Sequence, residues 1–404
     1  MDSLGDPSQC PVLPVEVFEE IIDAVGGFWR PQHTLKNCAL TCRAWLPRSQ
    51  LNLFRCIIVA PTGAEQLYRL AHVLDVSPHL REFVHEIKVS MSKRQAGKQL
   101  TGREAFEVLP ILLSGKVPAL RALRVSAINK NASPLILYPS FFATLPQLRS
   151  ITTLELYHVA FARFGELARM LSILANLRVL KCNYVWWQSA GVYRFPPSYY
   201  DTCSISHLRW EGPKPHSDEV QILAPGTDAL LTAARLSIVD LSVDAHEFGP
   251  RSGHSLSSFP ALRVLRLNCR LGLDESPEEN AEIAAALANS GSATLRHFTL
   301  RISIPRDPIV SSSKTHDHIQ AIGHGLDSSL SSASFPALQA IVIHGGHDPW
   351  LFEPQWWWSE LAATFPRAHK KQMLHLCGTR QNLNYRRFVP QEVELTMDGR
   401  QVPL

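Results

Sequence analysis

One phrase returns along most of this chain, and it limits what the chain can fold into more than any other feature. It reads PALRALRVS from Pro118, ANLRVLKCN from Ala175, PALRVLRLN from Pro260 and PALQAIVIHGG from Pro336. Looser copies are PHLREFVHEIKVS from Pro78, LRSITTLELYHV from Leu148, SISHLRWEG from Ser204, ARLSIVDLSV from Ala234 and ATLRHFTLRI from Ala293. The first apolar strand residue of each copy is Ile87, Leu123, Leu154, Leu180, Leu208, Val239, Leu265, Phe298 and Ile341, a period of about thirty residues with insertions. Each copy approximates L-x-x-L-x-L, whose alternation sets leucines on one face of a short strand and polar residues on the other. Helical stretches such as FGELARMLSIL (164–174) fall between the copies. One such unit cannot bury its own apolar face, whereas stacked units share a continuous core.

The expected fold class is therefore α/β: a short all-α N-terminal segment, then a curved solenoid of parallel strands and helices. VELTM at 393–397 reads as a closing strand, and the Ser-rich stretches 252–258 and 311–334 read as exposed loops. In such a stack the polar position inside each strand faces outward. These positions are Arg124, Glu155, Lys181, Arg209, Asp240 and Arg266, with Arg301 just beyond Thr299. They are mixed in sign with a positive lean, so an acidic or phosphorylated protein segment could pair there through charge-assisted hydrogen bonds. A solvated strand face is the plainer reading of the same residues.

Two aromatic stretches interrupt the array. YVWWQSAGVYRFPPSYY (184–200) offers Trp186, Trp187 and Tyr193 as interface anchors, or alternatively as core. Trp356-Trp357-Trp358 opens a helix and is expected to pack inward in part.

The N-terminal segment, 11–59, has a different texture. Pro14 suits a first helical turn, since its missing amide would have been an unpaired helix-end donor. Val17, Phe18, Ile21, Ile22 and Val25 then recur at helical spacing until Gly26-Gly27. A second helix is expected from Thr34 as N-cap, with Leu35, Cys38, Ala39 and Cys42 along one face, and a third opens at Trp45-Leu46. Three short helices make a marginal core, so part of their apolar surface should meet a partner.

The elements Leu13-Pro14, Val17, Ile21-Ile22, Leu35 and ALTCRAWL (39–46) resemble the F-box, in particular its fungal form with an LVCRxW core. That resemblance implies binding to a Skp-family adaptor, and through it to a cullin–RING ubiquitin ligase. The positions it implies as adaptor-facing are Leu13, Pro14, Val17, Ile21, Leu35, Cys42, Trp45 and Leu46. The connection GGFWRPQH (26–33) is longer than the minimal form. The rest of the chain resembles the degenerate leucine-rich-repeat domain of F-box substrate receptors, although it lacks a regular asparagine ladder apart from Asn183 and Asn268. The expected organisation is an F-box over 11–59, a linker over 60–77, and a target-binding array over 78–404. A repeat scaffold with no ligase role is the alternative.

Composition removes other classes. A formal net charge of +4 over 404 residues is too small to indicate nucleic-acid binding. No secretory signal or membrane span is expected, and the eight cysteines include no CxxC pair, so free thiols in the cytoplasm or nucleus fit best. G-x-S-x-G, P-loop, G-x-G-x-x-G and H-E-x-x-H motifs are missing, and His344-Gly345-Gly346-His347-Asp348 reads as a turn leaving a strand. The expectation is a binding protein that is no enzyme and needs no cofactor or metal.

Overall fold

The computed structural model describes residues 14–27, 32–60, 64–93, 100–101, 103–127, 134–135, 137–189, 195–212, 224–245, 254–270, 284–285, 287, 291–303, 312–345, 354–380, 391–395 and 401–403. The fold is mixed α/β and dominated by parallel strand pairing. It divides into two compact units, Met1–Val159 and Ala160–Leu404.

The first unit opens with three helices, α1 (Val15–Gly26), α2 (Gln32–Thr41) and α3 (Leu46–Arg55). The second begins two residues before Thr34, which lies inside it. Pro47 sits in the first turn of α3, where a missing amide costs nothing. The last helix passes directly into β1 (Cys56–Val59), and the junction is held by the His85 amide donating to the Arg55 carbonyl at 3.1 Å. Strand β1 thus turns the end of the expected F-box segment into sheet.

Next come α4 (Ala64–Val76), β2 (Glu86–Lys93), β3 (Leu100–Thr101), α5 (Arg103–Leu113), β4 (Ala122–Ala127), α6 (Pro139–Thr144) and β5 (Thr153–Tyr157). Residues 60–77 were expected as a linker. Instead α4 buries Leu67, Leu70, Ala71 and Leu74, whose spacing is that of one helical face. Strands β1, β2, β4 and β5 run parallel in that order, with Ile57, Ile87, Leu123 and Leu154 in one register, and β3 lies antiparallel to β2. Parallel neighbours need long crossovers, which the helices between them supply.

The second unit contains β6 (Ala160–Arg163), α7 (Phe164–Ile173), β7 (Val179–Asn183), β8 (Trp186–Ser189), α8 (Pro197–Thr202), β9 (His207–Glu211) and α9 (Ala224–Ala234). It continues through β10 (Asp240–Asp244), β11 (Val264–Arg270), β12 (His297–Ser303), the helix Ser312–Leu330, and β13 (Ala340–Gly345). The helices Pro354–Thr364 and Pro366–Lys370 precede β14 (Leu374–Arg380), β15 (Gln391–Leu395) and β16 (Gln401–Pro403). Strands β7, β9, β10, β11, β12, β13 and β14 pair in parallel in that order, and β15 and β16 then turn antiparallel. The pair β6–β8 stands apart as a small parallel ribbon.

Pairing sets Leu180, Leu208, Leu241, Leu265, Phe298, Ile341 and Leu374 in a single row. All seven are buried, and each such side chain contributes roughly 1.5–3 kcal/mol by leaving water. Two features of this row depart from the sequence reading. In the copy from Ala234 the row residue is Leu241 and not Val239, so Asp240 aligns with His207 and Ser242 takes the place opposite Arg209. A further strand, β14, extends the row through Leu374. The Ser-rich stretch 311–334, expected as a loop, contains the helix Ser312–Leu330, which buries Ile319, Leu326 and Leu330 at helical spacing.

If this row carries the stability, Phe298→Ala lowers unfolding free energy in urea by about 3–5 kcal/mol, the usual cost of emptying a core aromatic site. Replacing its outward neighbour, Thr299→Ala, changes it by less than about 0.5 kcal/mol.

Candidate functional site

The three N-terminal helices are fastened by one polar cluster. Arg48 on α3 donates from Nε to Asp23 Oδ1 on α1 at 2.7 Å and from Nη2 to Asp23 Oδ2. Asn52 Nδ2 donates to the same Oδ1 at 2.8 Å and to the Arg48 carbonyl at 3.1 Å. A Cβ at Gly26 would stand 2.5 Å from Asn52 Oδ1, so glycine lets the end of α1 close on α3. Phe18 and Trp45 pack with ring centroids 5.3 Å apart. The Arg48 guanidinium, seconded by Asn52, holds the Asp23 carboxyl below its ordinary value of 3.8.

Little apolar surface is covered by this arrangement. Only Ile22 and Leu35 among the large apolar side chains of the described helices are fully buried there. Val15, Val17, Ile21, Leu40 and Leu46 are 51%, 36%, 47%, 84% and 38% exposed. These are five of the twelve exposed large hydrophobic residues among the described residues, gathered in about a tenth of the chain.

The adaptor-facing expectations divide accordingly. Pro14, Val17, Ile21, Cys42 and Leu46 are exposed, and Trp45 is half-buried against Phe18. Leu35 is a correction: at 0% exposure it is core, because the three helices close around it and leave no surface for a partner. Leu13 lies outside the described residues. Sequence reasoning did not single out Val15 or Leu40 as surface. Leu40 carries a visible signal, since it is an apolar residue off the Leu35–Cys42 face of α2.

A second surface lies on the polar side of the second unit's strands. Pairing aligns Lys181, Arg209, Ser242, Arg266 and Thr299 across β7, β9, β10, β11 and β12. Two residues further along each strand, on the same face, stand Asn183, Glu211, Asp244, Asn268 and Arg301. An open hollow of about 470 Å³ on this face is lined by Lys181, Arg209, Arg266, Arg301, Asp240 and Ser242, among others. Four cations thus come from four strands, and β10 contributes an acid and a hydroxyl.

All four cations have partners within the protein, and two of those pairings are on the sheet itself. Arg209 donates from Nε to Glu211 Oε1 at 3.0 Å, and Arg266 pairs with Asp240. A guanidinium has five N–H donors, so a single carboxylate leaves several for another anion.

The other two expected face positions, Arg124 and Glu155, belong to the first unit and are spent on each other. Arg124 Nε lies 2.6 Å from Glu86 Oε1 and 3.0 Å from Glu155 Oε2, and Glu155 is 2% exposed. With Lys88 3.5 Å from Glu86, that face balances two cations against two anions. Glu155 is therefore corrected to a buried structural carboxylate.

The aromatic insertion is partly core where it is described. Trp187 is buried between Phe164, at a ring distance of 5.0 Å, and Trp210, at 6.2 Å, which removes it as an exposed anchor. Phe195 stacks on Tyr199 at 4.5 Å. Trp186 is half-buried, while Tyr193 lies outside the described residues.

Among the described residues no group of three or more His, Cys, Asp or Glu is placed to hold a metal ion. Burial pushes the Cys182 thiol far up, away from the reactive thiolate. His344 is buried at the end of β13, and His347 and Asp348 lie outside the described residues. No helix among the described residues is long and apolar enough to cross a membrane. No known protein-family model matches the chain, and no curated protein matches it either, so the reading of its function rests on these surfaces.

The Asp23 cluster makes a pH-dependent prediction. A carboxyl depressed by folding adds stability above its unfolded pKa, and that stability is lost as pH falls through the lower, folded value. Carboxyl NMR titration should place the Asp23 midpoint below 3.8, and Arg48→Ala should return it towards 3.8.

Proposed function

We propose that this chain is the substrate-recognition subunit of a Skp–cullin–F-box ubiquitin ligase, with a leucine-rich-repeat-like solenoid as its target-binding part. The observation that carries the reading is the number of exposed apolar side chains, Val15, Val17, Ile21, Leu40 and Leu46, within the three short N-terminal helices. A helical head that served only to cap a sheet would turn these side chains inward. Leaving them in water forgoes their burial energy, and short helices that expose this many apolar side chains suit a surface that a partner covers. Motif and exposure agree at Val17, Ile21 and Leu46, which lie within the F-box-like sequence and also face outward.

The strand face of the second unit supplies the complementary half, a target surface built on a rigid scaffold. In this reading the chain performs no bond-making step. Its contribution is proximity: it holds a target protein beside a ubiquitin-transfer machine that other subunits provide.

The test is a pull-down of recombinant Skp-family adaptor by the intact chain and by Val17→Asp/Ile21→Asp. Val17 and Ile21 are 36% and 47% exposed, and thermal unfolding of the variant beside the parent checks that it stays folded. Adaptor capture by the intact chain with a drop of at least tenfold in the variant supports the ligase reading. Failure of the intact chain to capture adaptor would leave a repeat scaffold in its place.

A further inference from the structure

The hollow on the second unit's polar face has a spacing that restricts what can fill it. Its four cations form two couples. Lys181 and Arg209 stand on the adjacent strands β7 and β9, and Arg266 and Arg301 on the adjacent strands β11 and β12. Strand β10 lies midway and presents Asp240 and Ser242. Neighbouring strands are about 4.8 Å apart, so the centres of the two couples are separated by about 14 Å. An extended polypeptide advances about 3.3 Å per residue, and about four residues span that gap. Residues four apart in an extended chain also point to the same side, because side chains alternate with a period of two.

The geometry points to an extended acidic peptide segment, laid across the strands, with anionic side chains at positions i and i+4 and no acid at i+2. The first anion meets Lys181 and Arg209, and the second meets Arg266 and Arg301. The residue between them passes over β10, where Ser242 meets a small polar side chain, and the carboxylates already on this face, Asp240 paired with Arg266 and Glu211 bonded to Arg209, disfavour a further acid there. The same i, i+4 pair on a helix would be only about 6 Å apart, so this spacing belongs to an extended chain. The shared chemistry is an anionic side chain, from either a glutamate or a phosphorylated serine, which bind guanidinium groups by charge-assisted hydrogen bonds.

This inference deepens the target-receptor reading and rests on it, and its test can fail separately. Fluorescence anisotropy is measured on the whole chain without adaptor, using short labelled peptides of glycine, serine and threonine that carry two glutamates or two phosphoserines. With the acids four apart, binding should be at least fivefold tighter than with the acids adjacent, and a third acid at i+2 should weaken it. Arg266→Glu and Lys181→Glu should each lower affinity at least tenfold, with the milder Arg266→Gln and Lys181→Gln falling between. Adaptor pull-down by the same variants should be unchanged. Binding of phosphoserine peptides alone, or of both kinds, supports the site and identifies the source of its anion. Equal binding at both spacings, indifference to the charge reversals in folded protein, or no binding of any peptide overturns it.

Discussion

Parallel strands cannot be joined by a tight turn, and the rest of this structure depends on that constraint. Each strand must be followed by enough chain to return to its starting end, and the return must cover the sheet it crosses. The apolar row Leu180, Leu208, Leu241, Leu265, Phe298, Ile341 and Leu374 is the result, because a crossover packs only against a continuous apolar face. A strand slipped by one residue would expose the whole set of leucines and bury its arginines, so register is strongly enforced. The three N-terminal helices obey no such rule and show the opposite economy, with little buried and much left bare.

The same alternation frees the other face. Once Leu180, Leu208 and Leu265 hold their strands in place, Lys181, Arg209 and Arg266 carry no packing duty. They can be chosen for what they meet. The two units use that freedom differently. Arg124 closes on Glu86 and Glu155 and leaves a self-neutralised surface, whereas the face across β7 to β12 keeps a surplus of positive groups around a hollow.

Much of this was legible in residues. Leu123, Leu180, Leu208, Leu265 and Phe298 could be aligned by eye, and pairing sets them in the expected register within each unit. The copy Ile238-Val239-Asp240-Leu241-Ser242-Val243 admits two alignments, two residues apart, because its alternation reads equally well from Val239 or Leu241. Only the neighbouring strand decides between them. Strand β14 is hard to read in the sequence because its LHL follows a basic stretch and lacks the usual Pro-Ala-Leu lead. Residues 64–76 had helical spacing in plain view at Leu67, Leu70, Ala71 and Leu74, but polar neighbours gave them the look of a linker. Leu35 and Trp187 failed for a different reason. An apolar side chain announces that it will be covered but does not say by what, and both are covered by their own chain.

The direct passage of α3 into β1 has a mechanical meaning. With Arg55 ending the helix, Cys56 opening the strand and the His85 amide bonded across the junction, there is no swivel between the helical head and the first strands. Asp23, Arg48 and Asn52 brace that head from within. Whatever grips the head therefore takes hold of the sheet's first strands as well, and a torque applied to α1 reaches β1 and β2 as rotation of a single stiff piece.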